Sequence, residues 1–230
     1  MQNILKELRL PKTLYRTESK YNGVIEVVDI GSTRRLRVNG QTQSVNWDAP
    51  SAKSMYWGRA VEILKQYTPD MKSIVVLGLG GATTQHLLAK AFPGLFIVSV
   101  EIDKEMIEVS KQFFDAAKIT NHHIYHADAC GVVAHPEDYG LKHDSFDVIF
   151  VDIFVGGDYP ELGKSGTFIS GLKNVVKPHG YVLINRLYYE EFQEDVNHFV
   201  DALETTFSEV TPIVIAGRTN TDNMLILCKF

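Results

Sequence analysis

Four short stretches of this sequence place glycine or a carboxylate where an apolar run gives out: GLGG at 78–81, EID at 101–103, ADA at 127–129 and VD at 151–152. Glycines between a strand-like run (SIVVL, 73–77) and a helix-like one (ATTQHLLAKAF) let the backbone approach a ligand, because no Cβ intervenes and positive φ costs little. A helix start behind them adds free N–H groups. Gly78 and Gly80 match the first two positions of the dinucleotide fingerprint GxGxxG, but Thr83 stands at the third, which weakens a nicotinamide reading. Glu101 follows about 20 residues later, where a carboxylate can accept hydrogen bonds from both hydroxyls of a ribose. Its neighbour Asp103 is the better N-cap for the helical run DKEMIEVSKQFF. Asp128 can accept from an adenine amino group, with the Ala129 N–H as a second edge contact, or it can cap the short helix near Cys130. Asp152 is placed to orient or deprotonate an amine nucleophile, or to bond the backbone of the loop behind it.

These residues need a scaffold that brings strand ends together. From Ser73 onward, SIVVL, LFIVSV, HHIYH, FDVIFV and GYVLI alternate with helical patterns, which implies a parallel sheet with helices on both faces. In such sheets ligands bind beyond the carboxyl ends of the strands. The end of the chain departs from this alternation: a long amphipathic helix around EEFQEDVNHFVDALETTF precedes EVTPIVIAG and NMLILCKF, two strands joined across RTNTD. That is a closing antiparallel hairpin. The first fifty residues alternate at period two in NGVIEVVDI and TRRLRVNG, a hairpin turning at IGST and continued through QTQSVNW. Ser51 opens one helix, SAKSMYWGRAVEILKQY, with Met55, Ala60, Ile63 and Leu64 on one face and Pro69 marking its end. The expected fold is α/β, with a small β-domain over residues 1–50 and a Rossmann-like domain over 51–230.

With 230 residues, 45% of them hydrophobic and 22% charged, the chain has enough apolar material for one sizeable core. No apolar run is long enough to cross a bilayer, and the start MQNILKELRLPK lacks the order of a secretory signal, so a cytoplasmic protein without a membrane partner is expected. The two cysteines, Cys130 and Cys228, have neither disulfide-framework nor zinc spacing. A net charge of −5 gives no bulk attraction to nucleic acid.

The order GxGG, E-I-D, A-D-A and V-D-x-F-x-G-x-x-x-P resembles the spermidine synthase family of polyamine aminopropyltransferases and its methyltransferase-like relatives. The N-terminal VNGQTQSVNWD followed by Tyr56 is similar to that family's small β-domain motif, so the resemblance covers nearly the whole chain. It implies a seven-stranded class I S-adenosylmethionine-dependent fold ending in the antiparallel hairpin. It also implies a cofactor, S-adenosylmethionine or its decarboxylated form, contacted by Gln43, Gly78, Gly80, Gly81, Glu101, Ile102, Asp128 and Ala129. Asp152 would be the catalytic residue, with Tyr56, Asp158 and Tyr188 as substrate contacts.

Departures from the family pattern point to a different transfer. The aspartate that holds the amino group of decarboxylated S-adenosylmethionine is here Gly81; the Tyr-His pair is Tyr56-Trp57; and in the loop D-S-x-D-P the second aspartate, which holds the diamine, is Val155. Each lost charge-assisted hydrogen bond removes roughly 1.5–3 kcal/mol from the binding of a polycationic amine. Asp158 or Glu161 would have to compensate. Methyl transfer to a small-molecule or protein acceptor is therefore the first expectation, aminopropyl transfer to a polyamine the second, and a catalytically silent binding protein of the same fold the third.

Other polar residues read more plainly. His122 and His126 share a strand face but lack a third metal ligand, and Arg34, Arg35 and Arg37 read as charges protecting a strand edge. Asn185, Tyr188 and Tyr189 either line an acceptor pocket or pack the helix that follows. A homodimer through the N-terminal hairpin fits the resemblance.

Overall fold

The structure, a computed structural model, describes residues 10–189, 192–217 and 222–230. Four strands, β1 (Lys12–Ser19), β2 (Gly23–Ile30), β3 (Thr33–Val38) and β4 (Gln41–Val45), form an antiparallel sheet in sequential order. Turn residues set its hairpins: Gly23, Gly31, Asn39 and Gly40 all have positive φ. β1 extends the expected hairpin on the side opposite β4. Because β3 lies inside the sheet, its arginines do not guard an edge. Arg34 points to the packed face, where it pairs with Asp29 at 2.9 Å and donates to the Phe113 carbonyl.

The expected helix from Ser51 is two helices, α1 (Pro50–Ser54) and α2 (Tyr56–Tyr67), broken at Met55, which is extended (φ −93°, ψ −177°). Gly58 explains the break. A Cβ there would lie 2.1 Å from the Lys53 carbonyl oxygen, so the glycine admits the α1 backbone against α2. Ala60, Ile63 and Leu64 are buried as expected, whereas Met55 is the hinge.

The main sheet is built from β5 (Ser73–Leu77), β6 (Phe96–Glu101), β7 (His122–His126), β8 (Phe146–Val151), β9 (Val176–Leu187), β10 (Glu209–Ile215) and β11 (Asn223–Lys229). Its order is β10-β11-β9-β8-β5-β6-β7; the β8, β9, β5, β6 and β7 pairings are parallel, and β11 runs antiparallel to both β9 and β10. This is the expected seven-stranded sheet with its closing hairpin. Helices α3 (Thr83–Ala91), α4 (Lys104–Phe113), α5 (Ala129–Ala134), α6 (Gly166–Gly171) and α7 (Gln193–Glu204) complete the fold. Glu190, Glu191 and residues 218–221, which the sequence reading placed in the last helix and the hairpin turn, lie outside the described residues.

Central strands are buried on both faces, which is why β5 and β8 read as unbroken apolar runs. Ile74, Val76 and Phe150 pack under Trp57, Ala60, Leu64 and Leu88 on one face. Val75, Ile149 and Val182 pack under Val132, Phe168, Phe199 and Leu203 on the other. A third cluster joins Ile25, Val27, Leu36 and Val38 of the small sheet to Met106, Val109 and Phe114 around α4, which fixes that sheet over the carboxyl end of β6. Strand order reverses between β5 and β8, and the crevice at that switch point is where a ligand fits an open α/β sheet. Among the described residues no helix is long and apolar enough to cross a membrane.

Candidate functional site

Immediately after β5 the chain turns so tightly that Gly78 takes φ +100° and Gly80 φ +50°. A Cβ on Gly78 would lie 2.2 Å from the carbonyl oxygen of Asp152, so the glycine lets two strand ends touch. Strain of about 1–3 kcal/mol accompanies such a φ in a non-glycine residue, and each 1 kcal/mol moves the Tm of a domain this size by about 2–4 °C. Gly78→Ala is accordingly expected to lower the Tm by several degrees in thermal denaturation and to displace Asp152. An unchanged Tm would mean that the turn relaxes freely.

The turn opens into a cavity of about 270 Å³, walled by the ends of β5, β6, β7 and β8 and covered by the small sheet. It brings together Gln43, Tyr56, Gly78, Gly80, Glu101, Ile102, Asp128, Ala129 and Asp152. Three residues expected at the site are not among its lining. Gly81 faces the small sheet: its N–H donates to Ser44 Oγ at 2.9 Å, and a Cβ there would meet Ser44 Cβ at 2.8 Å and Phe114 at 3.2 Å. Packing therefore accounts for glycine at this position. Asp158 is exposed on the loop after β8, where its backbone closes a small turn with Val155. Tyr188 turns toward α7, its hydroxyl 3.4 Å from Asn197 Oδ1.

Glu101 braces the turn as well as facing the cavity. Its Oε2 accepts the Leu79 N–H at 3.0 Å and its Oε1 the Asp103 N–H at 2.9 Å. Burial pushes its carboxyl up to about 7 against these stabilising donors. Asp103 caps α4 by accepting the Glu105 N–H, and its other oxygen holds Ser19 Oγ and, at 2.6 Å, Asn22 Nδ2. Through that contact the β1–β2 turn delivers Tyr21 and Asn22 to the cavity rim, which local sequence signals did not indicate. Asp128 caps α5 as one of its two expected roles, Oδ1 accepting the Cys130 N–H at 2.9 Å, and it also lines the cavity.

Asp152 lies at the end of β8 with both oxygens engaged. Asn185 Nδ2 donates to Oδ1 at 2.7 Å and the Tyr56 hydroxyl donates to Oδ2 at 3.2 Å. Asn223 Nδ2 in turn donates to Asn185 Oδ1 at 2.9 Å, so two strands of the sheet orient the carboxylate. Burial raises the Asp152 carboxyl to about 6, and burial beside Asp152 raises the Tyr56 phenol well above its ordinary value. Asn185 thus serves the site through Asp152. Tyr189 packs edge-on against Phe192, on the helix side of the alternative left open for it.

Arg186, one residue further along β9, was not singled out by its sequence context. It is 2% exposed, with its guanidinium carbon 4.1 Å from the Tyr159 ring centre and 4.6 Å from that of Phe199, and it pairs with Asp195 at 2.5 Å. Asp195 also holds Lys164, which binds Glu161. The loop that carries Phe154, Val155 and Pro160 into the cavity is anchored from behind by this group. Cys130, at the cavity wall, and the buried Cys228 are free thiols, and the described residues contain no cluster of three or more metal-ligating side chains.

A family model described as the spermine/spermidine synthase domain matches residues 61–230. The chain belongs to that family. A probable polyamine aminopropyl transferase from Bifidobacterium longum is 25% identical over 218 residues, covering 94% of this chain and 46% of that protein. The human eEF1A lysine and N-terminal methyltransferase is 29% identical over 121 residues, 49% of this chain and 17% of that protein. Spermidine synthase from Thermotoga maritima superposes with a TM-score of 0.75 at 14% identity, over 95% of this chain and 72% of that one, a likeness of fold. This chain spans less than half the length of the two sequence relatives described.

Proposed function

We propose that this chain is an S-adenosylmethionine-dependent transferase that moves a methyl group to a small-molecule or protein acceptor held against Asp152. The observation that carries this reading is the shortage of acid at the reacting end. Among the described lining residues the only carboxylates are Glu101, Asp128 and Asp152. Val155 stands where the family's diamine-binding aspartate would, Glu161 is paired with Lys164, and Asp158 lies outside the cavity lining. A polycationic amine would find one free partner where it needs several, each worth roughly 1.5–3 kcal/mol. No lysine, arginine or histidine is among those lining residues either, so the pyrophosphate of a dinucleotide would lack a cationic partner.

The residues present fit the cofactor. When bound, S-adenosylmethionine supplies an electrophilic carbon next to a sulfonium. The side-chain-free backbone of Gly78 and Gly80 admits its amino-acid end, Glu101 accepts from the ribose hydroxyls, and Asp128 with the Ala129 N–H meets the adenine edge. Val100, Ile102 and Met106 supply apolar flanks. Asp152, fixed by Tyr56 and Asn185, retains lone pairs with which to orient the acceptor and take its proton. Trp57, Phe154 and Pro160 keep water from the reacting atoms. The described residues of the 1–50 segment act as the cover and those of 51–230 as the transferase domain, and residence in the cytoplasm belongs to the same reading.

Aminopropyl transfer from decarboxylated S-adenosylmethionine to a polyamine is the second reading, favoured by the 94% span of the Bifidobacterium longum relative. Thermal denaturation with each ligand decides between them, since a ligand at a hundred times its Kd adds about 2.7 kcal/mol. S-adenosylmethionine is expected to stabilise most. Greater stabilisation by the decarboxylated form would overturn methyl transfer, and stabilisation by NAD alone would overturn both readings.

A further inference from the structure

Beneath α3, three polar side chains take no direct part in this chemistry. Ser99 is fully buried in β6, Gln85 of α3 is 1% exposed, and His122 on the edge strand β7 is partly buried beside them. A buried polar group is retained where its donors and acceptors are matched. These three match in only one direction. The Ala116 carbonyl can only accept, so His122 Nδ1, 3.3 Å away, carries the proton. In the neutral ring Nε2 is then an acceptor, and the Ser99 hydroxyl at 2.9 Å donates to it. With its proton committed, Ser99 Oγ accepts from Gln85 Nε2 at 3.2 Å. The second hydrogen of that amide goes to the Gly78 carbonyl, also at 3.2 Å. Reversing the Gln85 amide would set its oxygen against the Gly78 carbonyl, so the relay also fixes the rotamer. Burial, which pushes the His122 imidazole down to about 4, keeps the ring neutral at ordinary pH.

We propose that Gln85 is a positioning residue for the glycine turn, held in its working orientation by a one-way hydrogen-bond relay from His122 through Ser99. It fixes the carbonyl of the first glycine, and with it the direction in which the other side of the same planar peptide presents the Leu79 N–H to Glu101. A histidine on the far edge of the sheet thereby sets the shape of the cavity floor. As a statement about cofactor affinity, this rests on the S-adenosylmethionine reading of the cavity; as a statement about the turn, it stands without it.

Two measurements separate those parts. Hydrogen exchange at the amides of residues 78–82 reads the turn in the ligand-free protein, and calorimetric titration with S-adenosylmethionine reads the cofactor. Gln85→Met, which keeps the length but has no donors, is expected to speed exchange at the Leu79 amide and to raise the Kd by about tenfold, the scale of one hydrogen bond. His122→Phe removes the acceptor for Ser99 and should produce part of the same change. His122→Gln, whose Oε1 can stand in for Nε2, should restore it. The double variant Gln85→Met/His122→Phe should be no worse than Gln85→Met alone, since both break one relay. Unchanged exchange at the turn in both Gln85→Met and His122→Phe overturns the proposal, as do equal effects of His122→Phe and His122→Gln. If the wild type binds no S-adenosylmethionine while exchange follows the expected order, the functional reading fails and the relay stands. Should Gln85→Met not fold, the His122 pair on the edge strand still decides.

Discussion

Replacing Asp152 with asparagine is expected to cut turnover by about 10²–10⁴-fold, the usual contribution of a general base, while leaving the affinity for S-adenosylmethionine within a few-fold. The substitution preserves the local geometry. Asparagine Oδ1 still accepts from Asn185 Nδ2, and its Nδ2 can donate to the Tyr56 oxygen, so neither neighbour is left buried without a partner. What is lost is the ability to take a proton. In the wild type the carboxyl titrates at about 6, raised by burial, so it is mostly ionised at neutral pH yet basic enough to assist an amine or hydroxyl. Turnover, read as S-adenosylhomocysteine released with a panel of amine and peptide acceptors, should therefore rise with pH through a midpoint near 6. That acidic limb should be absent from the residual activity of the variant. Full activity in Asp152→Asn would remove this residue from the chemistry.

Glu101→Ala is expected to weaken S-adenosylmethionine binding by at least about a hundredfold, two charge-assisted hydrogen bonds at roughly 1.5–3 kcal/mol each being more than enough. The loss has two sources: the acceptors for the ribose, and the brace that ties the Leu79 and Asp103 N–H groups together. Glu101→Gln keeps one acceptor oxygen but turns an NH₂ toward one of those N–H donors, so an intermediate loss is expected. The pH dependence has an unusual sign. Burial raises the native carboxyl to about 7, above its unfolded value of 4.5, so the native state holds a proton that the unfolded state has released. Its contribution to stability is complete below about 4.5 and is lost as the pH rises through 7. Ribose binding as proposed above would use the carboxylate, so its pH dependence runs the opposite way. Affinity should tighten several-fold between pH 6 and pH 8 in the wild type and stay flat in Glu101→Gln, as measured by calorimetry. Cofactor-induced thermal stabilisation that survives in Glu101→Ala would show that the ribose assignment is wrong.

Much of this architecture is local in origin and therefore legible in the chain. Continuous apolar runs report strands buried on both faces, the glycines between β5 and α3 report a turn without room for side chains, and the β10–β11 pair follows from two terminal strand patterns separated by a polar stretch. Glu101, Asp128 and Asp152 could be placed at strand ends because strand periodicity fixes where each apolar run stops. The reasons some residues were misread are equally physical. Gly81 is a glycine because Ser44 and Phe114, distant in sequence, leave no space for a side chain. The arginines of β3 were assigned to an edge because strand neighbours are set by pairing, which composition does not report. Met55 carries the helical period and still breaks the helix, since Gly58 admits a backbone contact that outweighs the pattern.

Residue type and near-neighbour spacing are enough to specify the class of sheet, its closing hairpin, the glycine turn and the three carboxylates around it. What holds those groups in place comes from packing between distant parts of the chain. The Asn185 and Tyr56 grip on Asp152 spans 33 and 96 residues, and the Asp103 bond that brings Asn22 to the rim spans 81. Hydrogen bonds of that separation are set by how layers pack, and residue spacing carries no trace of them.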